Sequence, residues 1–275
     1  MPATDSTTPI TFYDIALKPP VEQNCCSPNP WKTRLTLGFK GLPFATSWVP
    51  LPDVAKVRTA LKVPPVRKFA DGTDFFTLPI IEDPSTGTSV GDSFDIAVYL
   101  QQTYPDSGAG DLFPEQTLDF VYDPNVVIPL SECRSECPEY ARFNVSVDAA
   151  FSAHVGLTLG TFPFDPATAE ISKAEFARRA GVASWEDFAM SEEQREKLMG
   201  SFRNMLGELG KLFTRDESGP FLLGARPSYG DVIVGGWLRM MRAALPAGDW
   251  EQVRGWHGGI FGRLHDALEV YAIMK

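Results

Sequence analysis

Two kinds of periodicity divide this chain, and they hardly overlap. Extended, β-rich runs are confined to the first part: "ITFYDIAL" at 10–17, "FATSWV" at 44–49, "FFTLPIIED" at 75–83 and "TGTSVGDS" at 86–93. Between the first two, Trp31, Leu35, Gly38 and Leu42 recur at helical spacing. Ile96, Tyr99, Leu100 and Thr103 share one side of a second helix that stops before Pro105. From about residue 113 the strand signals mostly vanish. "PEYARFNVSVDAAFSAHVGLTL", "KAEFARRA", "SEEQREKLMGSFRNMLGELGKLF", "SYGDVIVGGWLRMMRAAL" and "GIFGRLHDALEVYAIM" read as successive helices. The section 50–74, with Pro50, Pro52, Pro64 and Pro65, is irregular, with weak helical periodicity over 53–62. So sharp a shift predicts an α/β N-terminal domain over 10–105, a linker over 106–113 and an all-α C-terminal bundle over 114–275. Residues 1–9 read as a flexible tail.

Charge and composition narrow the function classes. A formal net charge of −10 argues against nucleic acid and anionic membrane surfaces as partners. No run approaches the roughly 18 apolar residues of a spanning helix. "MPATDSTTPI" lacks an apolar signal region, and four cysteines in 275 residues make no disulfide framework, so a reducing cytoplasm is expected. The sequon at Asn144 then reads as a chance match. Cys133 and Cys137, four apart with no second ligand pair, read as ordinary thiols and no metal site is expected.

Three local features carry the chemistry. Pro79 interrupts an apolar strand, which suits an edge, a bulge or a cis turn. A cis bond there would turn the Leu78 N–H and C=O outward, free to pair with an extended peptide. Gly91-Asp92-Ser93 opens a helix. Asp and Ser at such a start are usually caps, but they can also hold a ligand carboxylate and an ammonium, the two charges of an amino-acid head group. The third feature is "CCSPNPW", Cys25 to Trp31, which places two cysteines, a serine and an asparagine at the start of the helix carrying Trp31 and Leu35, where an anion is favoured. The bland reading is a cap by Ser27 or Asn29.

In this order and spacing, the three features resemble the thioredoxin-like domain of the cytosolic glutathione transferases. The helical remainder resembles that family's C-terminal domain. The resemblance implies that Leu78, before a cis-Pro79, pairs with the cysteinyl backbone of glutathione. It further implies that Asp92 and Ser93 hold the γ-glutamyl group, Asp92 standing where Glu or Gln is usual. "RPSYGDVIVGGWLRMM" matches the family's buried helix, with Ser228 and Asp231 as its capping box. "SPN-x-WKTR" and the long 50–74 section look closest to a fungal, serine-type class related to bacterial lignin β-etherases. Ser27 would then donate to the glutathione thiolate, with Asn29 and Tyr13 as rivals. Cys26 stands one residue too early for the cysteine of the omega class.

One hydroxyl at a helix start is enough for that role. Moving a thiol from about 8.5 to about 6.5 needs about 2.7 kcal/mol of preference for the anion. A hydrogen bond to a charged group contributes about 1.5–3 kcal/mol and the helix start about 0.3–1 kcal/mol. Tyr13, Trp31, Phe162, Phe164 and Trp237 are candidate walls for a small hydrophobic or phenolic second substrate between the domains. The resemblance implies glutathione as co-substrate, a homodimer, and conjugation or ether cleavage in detoxification. Two other functions compete: a non-catalytic, ligandin-type carrier of aromatic compounds, and a thiol transferase acting through Cys26.

Overall fold

The computed structural model describes residues 8–65, 67–69, 71–122 and 136–275. Its N-terminal part runs β1 (Ile10–Ala16), a single turn α1 (Val21–Asn24), α2 (Pro28–Phe39), β2 (Phe44–Pro50) and α3 (Val54–Ala60). A small hairpin follows, β3 (Arg67–Lys68) with β4 (Asp74–Phe75), then β5 (Ile80–Asp83), β6 (Thr88–Gly91) and α4 (Ser93–Thr103). The helical part holds α5 (Pro138–Ser152), α6 (Ala169–Ala180), α7 (Glu192–Phe213), α8 (Tyr229–Ala244), α9 (Ala247–Gly255) and α10 (Ile260–Ala267). Most of the expected tail and the Cys133 position lie outside the described residues.

The main sheet has the order β2-β1-β5-β6, with β1 parallel to β2 and β5 antiparallel to both its neighbours. Alternation sorts its side chains onto two faces. Ile10, Phe12, Phe44 and Ile81 meet Leu37 of α2 and Ile96 and Leu100 of α4. On the other face Val49 and Ile80 pack with Leu51, Val54 and Leu78 beside α3. Each such burial stabilises the fold by about 1.5–3 kcal/mol.

Several sequence expectations shift. Pro79 does not lie within a strand: residues 76–79 leave the sheet, and β5 begins at Ile80 on its far side. A residue without an N–H cannot enter a ladder flanked on both sides, as β5 is by β1 and β6. The helix expected through Leu159 ends at Ser152, and a 3-10 turn covers Val155–Thr161. The last helix likewise gives way after Ala267 to a 3-10 turn, Leu268–Tyr271. The short elements α1, α9, β3 and β4 carry too few residues for a period to show.

α2 and α8 hold the two parts together. A Cβ on Gly236 of α8 would stand 2.7 Å from the Pro28 carbonyl, so glycine permits the close crossing at the first turn of α2. Val232, Ile233, Trp237, Met240 and Met241 of α8 are all buried, the helix being enclosed on nearly every side. Among the described residues, no helix is long and apolar enough to cross a membrane.

Candidate active site

The start of α2 has an unusual supply of donors. Ser27 is the N-cap, in extended conformation (φ −60°, ψ 124°), and its side chain makes no capping bond. Of the first three helical positions, Pro28 and Pro30 have no N–H, so only Asn29 carries one. A cap side chain normally serves the N–H of the second or third position. Here the third is proline. The Ser27 hydroxyl makes no bond to the helix, and Ser27 lines a cavity of about 180 Å³ together with Pro28 and Asn29. The Asn29 Oδ1 is buried with no hydrogen-bond partner among the described residues.

The opposite rim comes from the segment before β5. Leu78 lines the cavity, and the Leu78–Pro79 peptide bond is cis. Neither the N–H nor the C=O of Leu78 pairs with another described residue. The preceding Thr77 carbonyl is already taken, accepting from Arg58 Nη1 at 2.6 Å. Burial lowers the Arg58 guanidinium to about 10, still charged at neutral pH.

Asp92 and Ser93 sit next to this rim. The Asp92 N–H donates to the Pro79 carbonyl at 3.3 Å, and Gly91 is in register with Ile80. Asp92 holds φ 95°, uncommon for a residue with a side chain, and caps α4 by accepting from the Phe94 N–H at 2.9 Å. Its other carboxylate oxygen accepts from Arg67 at 3.4 Å, and Arg67 lines the cavity. Ser93 is buried at the first position of α4; its carbonyl accepts from the Tyr229 hydroxyl at 3.0 Å, tying the site to the start of α8.

The aromatic candidates separate. Phe162 and Trp237 line the cavity, and Phe164 stands behind Phe162 with ring centroids 4.7 Å apart. Trp31 does not line it. Its Nε1 donates to the Cys25 carbonyl at 2.9 Å, and its ring faces Arg239 and Arg34. Tyr13 does not line it either. Its hydroxyl donates to Glu82 Oε2 at 2.5 Å, and burial together with that bond pushes the phenol up to about 12. A phenol held on a carboxylate away from the cavity has no proton to offer a thiolate there.

The cysteines are also set apart. Cys25 and Cys26 are buried and do not line the cavity. Burial, with Asp14 nearby, pushes the Cys25 thiol up to about 12, and burial raises Cys26 well above its ordinary value. Neither has an appreciable thiolate fraction at neutral pH, which removes the basis for a cysteine nucleophile. Among the described residues no cluster could hold a metal ion. Asn144 of the sequon is buried and accepts from Lys32, out of reach of a glycan.

Sequence reasoning missed four charged residues around the cavity. Arg67 and Asp148 line it, as does Arg179 of α6, which donates to the Phe76 carbonyl at 3.1 Å across the two parts of the chain. Lys32 lies behind Asp148, paired with it. Spacing marked neither Lys32 nor Asp148, which have polar neighbours one turn away, Asn29 and Thr36 for the first and Asn144 and Ser152 for the second. Arg67 lies in the irregular section, where no pattern marks it.

Two family descriptions match the chain in series: "Glutathione S-transferase, N-terminal domain" over residues 26–103, and "Glutathione S-transferase, C-terminal domain" over 164–271. A glutathione S-transferase of Ceriporiopsis subvermispora, solved in complex with glutathione, is 31% identical; the likeness covers 98% of this chain and 99% of that one, with a TM-score of 0.76. The chain belongs to the glutathione S-transferase family. The glutathione transferase GSTFuA3 from Phanerochaete chrysosporium is 26% identical over 98% of this chain and 99% of its own, with a TM-score of 0.80. The glutathione S-transferase-like protein ustS of Aspergillus flavus is 37% identical over 112 residues, 39% of this chain. The chain spans 33–38% of the length of the curated relatives it matches. In this chain the small sheet and the helical part are those of the family, and the cavity lies where they meet.

Proposed function

We propose that this transferase binds glutathione along Leu78 and the adjoining Asp92 and Ser93, which lie beside the cavity rather than on it, and activates its thiol at the start of α2. The observation that carries the reading is the Ser27 hydroxyl, left without a capping bond on a largely apolar cavity. The Leu78 N–H and C=O suit the cysteinyl backbone, in the manner of strand addition. Asp92 suits the ammonium and Ser93 the carboxylate of the γ-glutamyl group. Ser27 donates to the sulfur, with Asn29 as the second donor within the same cavity.

The thiolate attacks a small aromatic or apolar electrophile between Phe162 and Trp237. A sulfur lone pair forms the new S–C bond, and the leaving group departs with the electron pair of the old one. In ether cleavage that leaving group is a phenolate. No protein nucleophile takes part, and the role is detoxification of phenolic and related compounds in the cytoplasm, as a homodimer.

Thiolate absorbs in the ultraviolet and thiol does not, so a pH titration of the binary complex reads the sulfur directly. Ser27→Ala is expected to raise the midpoint by about 1–2 pH units, since one charge-assisted bond of about 1.5–3 kcal/mol is lost. Tyr13→Phe is expected to leave it in place. A shift with Asn29→Ala and none with Ser27→Ala transfers the role to the asparagine.

A further inference from the structure

Beside the sulfur-facing end of α2 lies a buried ion pair that the reading above does not use. Lys32 follows Pro28 by one helical turn, and its Nζ donates to Asp148 Oδ1 at 2.5 Å and Asn144 Oδ1 at 2.8 Å. The Lys32 and Asp148 side chains are 0% and 5% exposed. Trp237 Nε1 donates to the same Asp148 oxygen at 2.7 Å, and Asn144 Nδ2 donates to the other at 3.3 Å. The cluster thus joins α2, α5 and α8 where the α2–α8 crossing is closest. Asp148 and Trp237 reach the cavity that Ser27 and Asn29 line; Lys32 does not.

A carboxylate on that wall is a liability for an anion in the same cavity. Two like charges in a poorly solvated site oppose each other, and each raises the pKa of the other acid. Arg67 and Arg179 line the same cavity and bring cations to the anion itself; the carboxylate is cancelled most directly by a cation that pairs with it and stays off the cavity. Lys32 meets both conditions.

Resting on the assignment of a thiolate to this cavity, we propose that Lys32 is a positioning residue that neutralises Asp148, so that the α2 start retains its preference for the sulfur anion. Burial lowers the Lys32 ammonium, while the charge and hydrogen bond of Asp148 oppose that shift; Asp92 also opposes it and Arg67 adds to it. Removing Lys32 leaves an uncompensated Asp148 carboxylate on the cavity wall, and removing Asp148 leaves an uncompensated ammonium behind it, so the two losses act on the anion with opposite sign, unlike those of a structural brace.

The ultraviolet titration of the glutathione complex tests it. Lys32→Met is expected to raise the thiol midpoint by about one pH unit, the usual effect of an uncompensated neighbouring charge. Asp148→Asn, which is isosteric, is expected to lower it. Lys32→Met combined with Asp148→Asn is expected to return the midpoint towards wild type, and Lys32→Arg to hold it there. A brace alone would move both single variants in the same direction or leave both midpoints unmoved, and either result overturns the proposal. Should Lys32→Met not fold, Asp148→Asn decides alone: a fall supports the charge role, and no change or a rise ends it. If the wild-type complex shows no thiolate signal at all, the underlying reading fails instead.

Discussion

Ser27 and Ser228 stand at the N-caps of two helices that cross each other, and their hydrogen bonds could hardly differ more. Ser228, before α8, is fully buried. Its N–H and Oγ both donate to Asp231 Oδ2, at 2.7 and 2.9 Å, and its Oγ accepts from Gln116 at 2.9 Å. Asp231 Oδ1 accepts from the Leu222 N–H at 2.8 Å. Ser27, before α2, has no capping bond and faces the cavity. Pro30 accounts for part of the contrast, since it removes the third-position N–H that a cap would serve and leaves only that of Asn29. The same residue type is structural where the helix needs it and available to a ligand where the helix does not.

The comparison breaks or sharpens under substitution. The largest effect is expected from Asp231→Ala, which leaves the Leu222 N–H, the Ser228 N–H and the Ser228 hydroxyl buried without their acceptor. At about 1–3 kcal/mol for each stranded group, destabilisation of at least about 3 kcal/mol is expected in urea unfolding. Glutathione affinity responds next. Ser93→Ala is expected to weaken it by about 1–3 kcal/mol in calorimetry, and an unchanged affinity would remove Ser93 from the γ-glutamyl site.

The two caps differ in pH response as well. Burial raises the Asp231 carboxyl to about 7, against three hydrogen bonds that favour its anion. Between the ordinary carboxylate range and pH 7, the folded protein keeps a proton that the unfolded chain has released. The stability from this group is therefore full below about pH 4 and is lost as pH rises towards 7. Melting temperature followed over that range is expected to show the decline in wild type and in Ser27→Ala, and a flatter profile in Asp231→Asn.

Smaller still are the serine truncations. Ser228→Ala is expected to cost about 1 kcal/mol through the lost hydroxyl bonds to Asp231 and Gln116, and Ser27→Ala no more than about 0.5 kcal/mol. Equal losses in the two would mean that Ser27 is a structural cap after all. The smallest effect is expected at Cys25 and Cys26: replacing both by Ala leaves turnover near wild type, and the native thiols react slowly with a disulfide reagent at neutral pH.

The sequence alone determined whatever depends on neighbours a few residues apart. The prolines around Asn29 set the donors at the α2 start, Ser228 and Asp231 lie three apart in their capping box, and Asp92 precedes the helix it caps. Period and composition likewise separated the sheet-bearing part from the helical one, because each period repeats within a few residues. Cavity membership was another matter. Trp31 and Trp237 both sit on apolar helix faces, yet only Trp237 reaches the cavity, and Tyr13 was lost to Glu82, 69 residues away. The Lys32–Asp148 pair joins residues 116 apart. Such contacts form only once α2, α5 and α8 pack together, and a buried charge is held by whichever partner the packing brings within reach rather than by any spacing along the chain.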